Sequence, residues 1–248
     1  MTRPLTGPAA PRAVRRDTLA RALLTAYAVV ALADLVALLA AADLGHTLLK
    51  PLLLPLLAAW AATRGGPPLL TAALLFGWGG DVLLLADRDP LFLAGMGSFA
   101  LGHVCYLVLF QRYGFQRYGF PPYGPSRART ASLAGVYAVA LVGTVALLWS
   151  DLPGDMRVPM AGYSLLLTAM AFRATRLGPA AAVGGALFLL SDTLIATGIA
   201  DWPQLPRPDF WIMLTYLTAQ ALLARGVLAA ADVPRARQHP APAYGEET

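Results

Sequence analysis

The chain has 248 residues, of which 57% are hydrophobic and 13% charged, and its mean hydropathy is +0.58. Soluble globular domains carry about a quarter charged residues, so this composition excludes that class and points to an integral membrane protein. A net charge of +5 would suggest nucleic acid as the partner of a soluble protein, but here the arginines lie in short segments between apolar runs. They read as topology signals, and no nucleic-acid partner is expected. The single Cys105 excludes a disulfide framework and a Cys-based zinc site.

In chain order, residues 1–18, MTRPLTGPAAPRAVRRDT, form a basic, Pro-rich cytoplasmic tail. The apolar run after it is too long for a secretory signal and is expected to stay as the first span. Crossing about 30 Å of hydrocarbon takes ~20 helical residues. Eight runs fit, at about 19–41, 48–63, 68–86, 91–111, 130–149, 158–173, 179–200 and 209–231. The expected fold is all-α, a polytopic bundle of about eight transmembrane helices over residues 19–231. The second and sixth runs are short, and Pro51, Pro55 and Pro159 near their starts fit helix beginnings or kinks.

Between the fourth and fifth runs stands an identical tandem pair, QRYGF at 111–115 and 116–120, whose interleaved Arg and aromatic residues suit a membrane interface. Residues 232–248 read as a disordered cytoplasmic tail. With the N-terminus inside, fifteen of the 19 Lys and Arg residues fall on the inner side, leaving Lys50, Arg88, Arg157 and Arg207 outside. Both termini are therefore expected in the cytoplasm, in a multi-pass protein of the cell membrane.

Two stretches break the apolar pattern. GWGGDVLLLA at 77–86 and LLSDTLIATG at 189–198 each place an acid, Asp81 and Asp192, inside a span. An intramembrane Asp costs about 2.5–3.5 kcal/mol on insertion scales, so such residues face the bundle interior and mark function. Asp34, in the first span, has no polar neighbours in sequence and is read as structural or tolerated. In the fourth run Gly95, Phe99, Gly102, His103 and Tyr106 share one helical face. Gly184, Phe188, Ser191, Asp192 and Ile195 do the same in the seventh, while Tyr163, Tyr216 and Gln220 add polar groups in the sixth and eighth. Spans three and seven run outward, and Lys50 begins the second, so the polar set is expected in the outer half of the bundle.

Five blocks carry a resemblance. They are KPLLLPLL at 50–57, LLFGWGGDVLLL at 74–85, FLAGMGSFALGHVCYLVLF at 92–110, GGALFLLSDTLIA at 184–196 and MLTYLTAQALLARG at 213–226. In order and spacing the sequence resembles the YhhN family of lysoplasmalogenase-like membrane proteins. The resemblance implies eight helices and, as in some members, hydrolysis of the vinyl ether bond of a lysoplasmalogen to a fatty aldehyde and a glycerophospho-base. It implies that Asp81 and Asp192 are the acids of the family's G-D and S-D motifs, and that Lys50, His103, Tyr106, Tyr216 and Gln220 fill further polar positions. Trp78, just before Asp81, departs from the pattern and could alter pocket shape.

The chemistry fits two carboxyls. Protonation of a vinyl ether at its β-carbon gives an oxocarbenium ion, water adds, and the hemiacetal collapses to aldehyde and alcohol. One carboxyl must hold a proton while the other stays ionised beside the developing cation, a division that a low-dielectric pocket favours because two adjacent carboxylates repel. Asp81 and Asp192 are expected to form this pair, with Lys50, His103, Tyr106, Tyr163, Ser191, Tyr216 and Gln220 binding substrate or supporting the pair. The expected partners are a lysophospholipid and the bilayer, with no cofactor. Two alternatives remain: a proton-coupled transporter, since intramembrane Asp and His also mark ion paths, and a metal-dependent lipid hydrolase using Asp81, Asp192 and His103.

Overall fold

A computed structural model describes residues 11–86, 89–118 and 126–238, and the described residues form eight α-helices and one short 3-10 turn, with no strand. The helices are α1 Pro11–Leu39, α2 Asp43–Thr63, α3 Pro68–Leu84, α4 Asp89–Tyr118, α5 Arg127–Leu148, α6 Arg157–Ala174, α7 Pro179–Ile199 and α8 Pro208–Gln238. Six of them (α1, α2, α4, α5, α7 and α8) are long and apolar enough to cross a bilayer. At 17 residues α3 is a shorter apolar helix, about 25 Å long at 1.5 Å per residue. With 18 residues and Arg157 and Arg173 inside its bounds, α6 is not among these six. The described residues form an integral membrane bundle of eight helices.

Several helices outrun the apolar runs that announce them. The first begins at Pro11, inside the basic segment, and the last continues to Gln238. The second starts at Asp43, so it has 21 residues and is not short. Lys50 consequently sits two turns inside α2, and Pro51 and Pro55 lie in its interior. The first QRYGF copy and the start of the second belong to α4, while residues 119–120 fall outside the described residues.

Pro55 shapes a contact between helices. It has no N–H to give the carbonyl of Pro51, its i−4 residue, so that oxygen loses its intrahelical donor. The Trp78 indole of α3 fills the gap, donating to Pro51 O at 2.9 Å. Trp78 is thus a tie between α2 and α3 and does not line the pocket described below.

Three helices end with the same backbone device. Ala42 N donates to Ala37 O, Gly66 N to Ala61 O and Trp202 N to Thr197 O, each spanning five residues. The residue before each donor, Ala41, Gly65 and Asp201, has positive φ, the left-handed geometry that reverses the chain. The same turn therefore closes α1 and α2 at opposite ends of the bundle, and α7 at the end shared with α1.

Close helix contacts follow small residues. A Cβ added at Gly184 would stand 3.0 Å from Ala219 O and Leu223 N, and one at Gly226 would stand 2.7 Å from the Ala181 Cβ, so α7 and α8 touch backbone to backbone. Likewise Gly102 of α4 lies against Ala73 O of α3. The main core lies among α1, α2, α3, α4, α6, α7 and α8, whereas α5, with Leu148 its one buried residue, packs at the margin against α6.

Candidate active site

Asp81 lies near the C-terminal end of α3 and is 3% exposed; Asp192 lies in the second half of α7 and is half-buried. Each carboxylate receives a tyrosine hydroxyl from another helix. Tyr216 of α8 donates to Asp81 Oδ2 at 2.9 Å, and Tyr163 of α6 donates to Asp192 Oδ2 at 2.5 Å.

Behind Asp81 the network continues. Gln220 Nε2, one turn along α8 from Tyr216, donates to the Tyr216 oxygen at 3.3 Å, and Tyr106 of α4 donates to Gln220 Oε1 at 2.8 Å. Both ends of the Gln220 amide are thereby fixed, and the Tyr216 proton has one direction left, toward Asp81. Behind Asp192 stands His103 of α4, whose Nε2 meets the Tyr163 oxygen at 3.0 Å. Because Tyr163 gives its proton to Asp192, His103 carries hydrogen on Nε2, and its buried Nδ1 has no partner among the described residues.

Aromatic rings separate the two arms. Phe188 stands edge-on to both His103 and Tyr216, with centroids 4.8 and 5.4 Å away, and Phe99 stands edge-on to Tyr216 at 5.9 Å. With rings on these sides, the tyrosine hydroxyls are the hydrogen-bond donors that the carboxylates meet.

Asp81 and Asp192 open into one pocket enclosing about 1070 Å³ of non-atom space, its open mouth included. Lys50, Tyr163, Ser191 and Tyr216 also line it, within walls that are mainly Leu, Met, Phe, Ala and Val from α3 to α8. The pocket lies toward the end where α1 joins α2, α3 joins α4, α5 joins α6 and α7 joins α8. His103, Tyr106 and Gln220 stand behind the lining, and Ser191 donates to Ile212 O at 3.1 Å, tying α7 to α8. The residues singled out in the sequence therefore converge, in two layers: a lining layer and a supporting one.

Three residues do more than their sequence suggests. Asp34 is fully buried and pairs with His46 Nδ1 at 2.8 Å across the α1–α2 turn, while its second oxygen has no partner among the described residues. His46 precedes Lys50 by one turn of α2, a spacing that could have flagged it. Arg157, counted as a topology residue, lines the pocket from the first turn of α6. No group of three or more His, Cys, Asp or Glu converges on one point among the described residues.

The mouth is braced by two loops. Asp151 accepts from the Trp202 indole at 2.8 Å and from Ser150 Oγ at 2.9 Å, which links the α5–α6 and α7–α8 connections. These two donors hold the Asp151 carboxyl below its ordinary range, the Trp202 bond contributing most.

The profile of the YhhN family matches residues 45–227, from the first turn of α2 into the second half of α8. Lysoplasmalogenase TMEM86B of Sus scrofa is 33% identical over 158 residues, covering 64% of this chain and 62% of that protein. Lysoplasmalogenase TMEM86B of Homo sapiens is 34% identical over 172 residues, 68% of each chain. A lysoplasmalogenase of Mycobacterium bovis is 30% identical over 204 residues, 77% of this chain and 74% of its own length. The chain thus spans less than two thirds of the Sus scrofa relative. No solved structure matches it. Every residue of the two carboxylate arms falls inside the matched segment, and the chain belongs to the YhhN family.

Proposed function

We propose that this protein is a lysoplasmalogenase-like ether hydrolase that cleaves the vinyl ether bond of a lysophospholipid. The observation that carries the reading is the opening of Asp81 and Asp192, each bound by its own tyrosine, into one largely apolar pocket. The names of the related proteins point to the same reaction.

In this reading one carboxyl delivers its proton to the β-carbon of the vinyl ether, and the other, ionised, faces the oxocarbenium ion that forms. Water then adds to the cationic carbon and loses a proton to a carboxylate, and the hemiacetal breaks its C–O bond to give aldehyde and glycerol hydroxyl. Glycosidases divide a related task between two carboxyls, an analogy of mechanism. Tyr163 and Tyr216 hold the carboxylates in place, and His103, Tyr106 and Gln220 fix the tyrosines. The single chain of a lysolipid lies along the apolar wall to which α5 contributes Ala140, Leu141, Val145 and Leu148. The excess of Lys and Arg at the other end supports cytoplasmic termini and a pocket that faces the outer leaflet of the cell membrane.

Both carboxylate helices, α3 and α7, run unbroken past their acids. That favours a fixed reaction pocket over a transport path built on half-helices. The test is aldehyde release by the purified protein from a lysoplasmalogen, beside the matched ester lysolipid, with and without chelator. Cleavage of the vinyl ether alone, unaffected by chelator, is expected. No aldehyde release from the vinyl ether lipid overturns the reading.

A further inference from the structure

Two cations line the pocket that holds the carboxylates, Lys50 of α2 and Arg157 of α6. They differ in how they are held. Arg157 Nε donates to Leu152 O and its Nη2 to Ser150 O, both at 3.1 Å, so two carbonyls of the α5–α6 loop fix the plane of the guanidinium. Its Nη1 has no hydrogen-bond partner among the described residues, and the Lys50 ammonium makes no hydrogen bond there but faces the Asp81 carboxylate closely enough for their charges to interact. A pinned guanidinium with donors to spare is suited to a phosphate, and a half-buried lysine supplies a second, mobile charge.

The local backbone adds to this. Arg157 is the first residue of α6, and no side chain caps that helix end. The partial positive charge of a helix N-terminus favours an anion in the same place.

The spacing also matches a ligand. Arg157 precedes Tyr163, which binds Asp192, by six residues on one helix, about 9 Å along the axis at 1.5 Å per residue. In a 1-alkenyl glycerophospholipid the phosphorus and the vinyl ether oxygen are separated by five covalent bonds, roughly 6 Å when extended at ordinary bond lengths. The two lengths are comparable.

We propose that Arg157 and Lys50 form the anion subsite of this pocket, binding the phosphodiester of a single-chain phospholipid so that its ether bond lies at Asp81 and Asp192. The inference deepens the proposed function and rests on it for the position of the reacting bond. It makes the phosphate a specificity element: the pocket selects alkenyl lipids that carry it over uncharged 1-alkenylglycerol.

The experiment compares a 1-alkenyl glycerophospholipid with 1-alkenylglycerol on the full-length protein in detergent, for wild type, Arg157→Gln, Arg157→Lys and Lys50→Gln. The KM advantage of the phosphate-bearing substrate is expected to fall by about tenfold or more in Arg157→Gln and Lys50→Gln, with kcat moving less, and to recover in part in Arg157→Lys. An advantage unchanged in both Gln variants overturns the subsite while leaving the hydrolase reading intact. If Arg157→Gln does not fold, because it also releases the two loop carbonyls, Lys50→Gln decides alone. If the wild type cleaves neither lipid, the hydrolase reading fails and the subsite is judged by thermal stabilisation with lysophosphatidylcholine against monoacylglycerol. A phosphate-dependent stabilisation lost in Lys50→Gln supports the subsite, and its absence in wild type or its persistence in the variant overturns it.

Discussion

The Tyr163 hydroxyl lies 2.5 Å from Asp192 Oδ2 and 3.0 Å from His103 Nε2, so one oxygen links an acid on α7 to an imidazole on α4. The Tyr163→Phe variant keeps the ring packed between α6 and its neighbours but removes the donor to Asp192. Hydrogen bonds to charged groups contribute about 1.5–3 kcal/mol, so kcat is expected to fall roughly 10- to 100-fold. His103→Phe should act through Tyr163, with a smaller loss. Steady-state kinetics on a vinyl ether lysolipid check both, and a Tyr163→Phe enzyme as fast as wild type would remove the tyrosine from the mechanism.

Replacing the acids themselves separates catalysis from stability. Asp81→Asn and Asp192→Asn retain shape and an acceptor for the tyrosine hydroxyl, yet lose the proton donor or the anion. Proton-transfer groups contribute about 10²–10⁴ in rate, and each variant is expected to lose that much in kcat. Asp81 is 3% exposed, and burying a carboxylate is costly, so if the proposed function is what retains it, its Asn variant melts at the wild-type temperature or above. A matched loss of activity and of melting temperature would instead mark Asp81 as structural.

The spans were legible from their apolar runs, and the two acids that line the pocket stood out because insertion of an Asp into such a run is costly. The supporting set was legible for a related reason: Tyr216 and Gln220 sit one turn apart, and His103 shares its face with Tyr106, so helical period alone aligns them. Three features were not. The Asp34–His46 pair depends on how α1 and α2 fold back at Ala41, which composition does not encode. Arg157 counts as an outer charge in any topology tally, and its place in the pocket depends on where the α5–α6 loop ends. Trp78 was read as able to alter pocket shape because it precedes Asp81, but its indole donates to the Pro51 carbonyl of α2, which Pro55 leaves without an intrahelical donor, and sequence spacing does not encode that bond.

The buried Asp34–His46 pair is a point where one substitution is costly and two are not. With His46→Leu, Asp34 stays fully buried with neither oxygen partnered, and breaking a buried pair in this way costs about 3–5 kcal/mol. Adding Asp34→Leu removes the stranded acid and is expected to restore most of the loss. Thermal unfolding in detergent of the two single variants and the double variant measures this. Additive losses would mean that the pair does not couple α1 to α2.

The Trp78 indole and the ring of Pro55 are related through the single carbonyl of Pro51, and this gives a test that involves no substrate. In wild type the Pro51 oxygen lacks a donor from its own helix because residue 55 is proline, and Trp78 supplies one from α3. Trp78→Phe leaves that oxygen unpartnered, at a cost of about 1–3 kcal/mol. In a Pro55→Ala background the restored N–H at position 55 can bond Pro51 O within the helix, so Trp78→Phe should cost much less. The difference between the two backgrounds is the coupling energy of a double-mutant cycle, expected at about 1 kcal/mol or more for residues that share one acceptor. Equal effects of Trp78→Phe in both backgrounds would show that the indole stabilises the α2–α3 contact by packing alone.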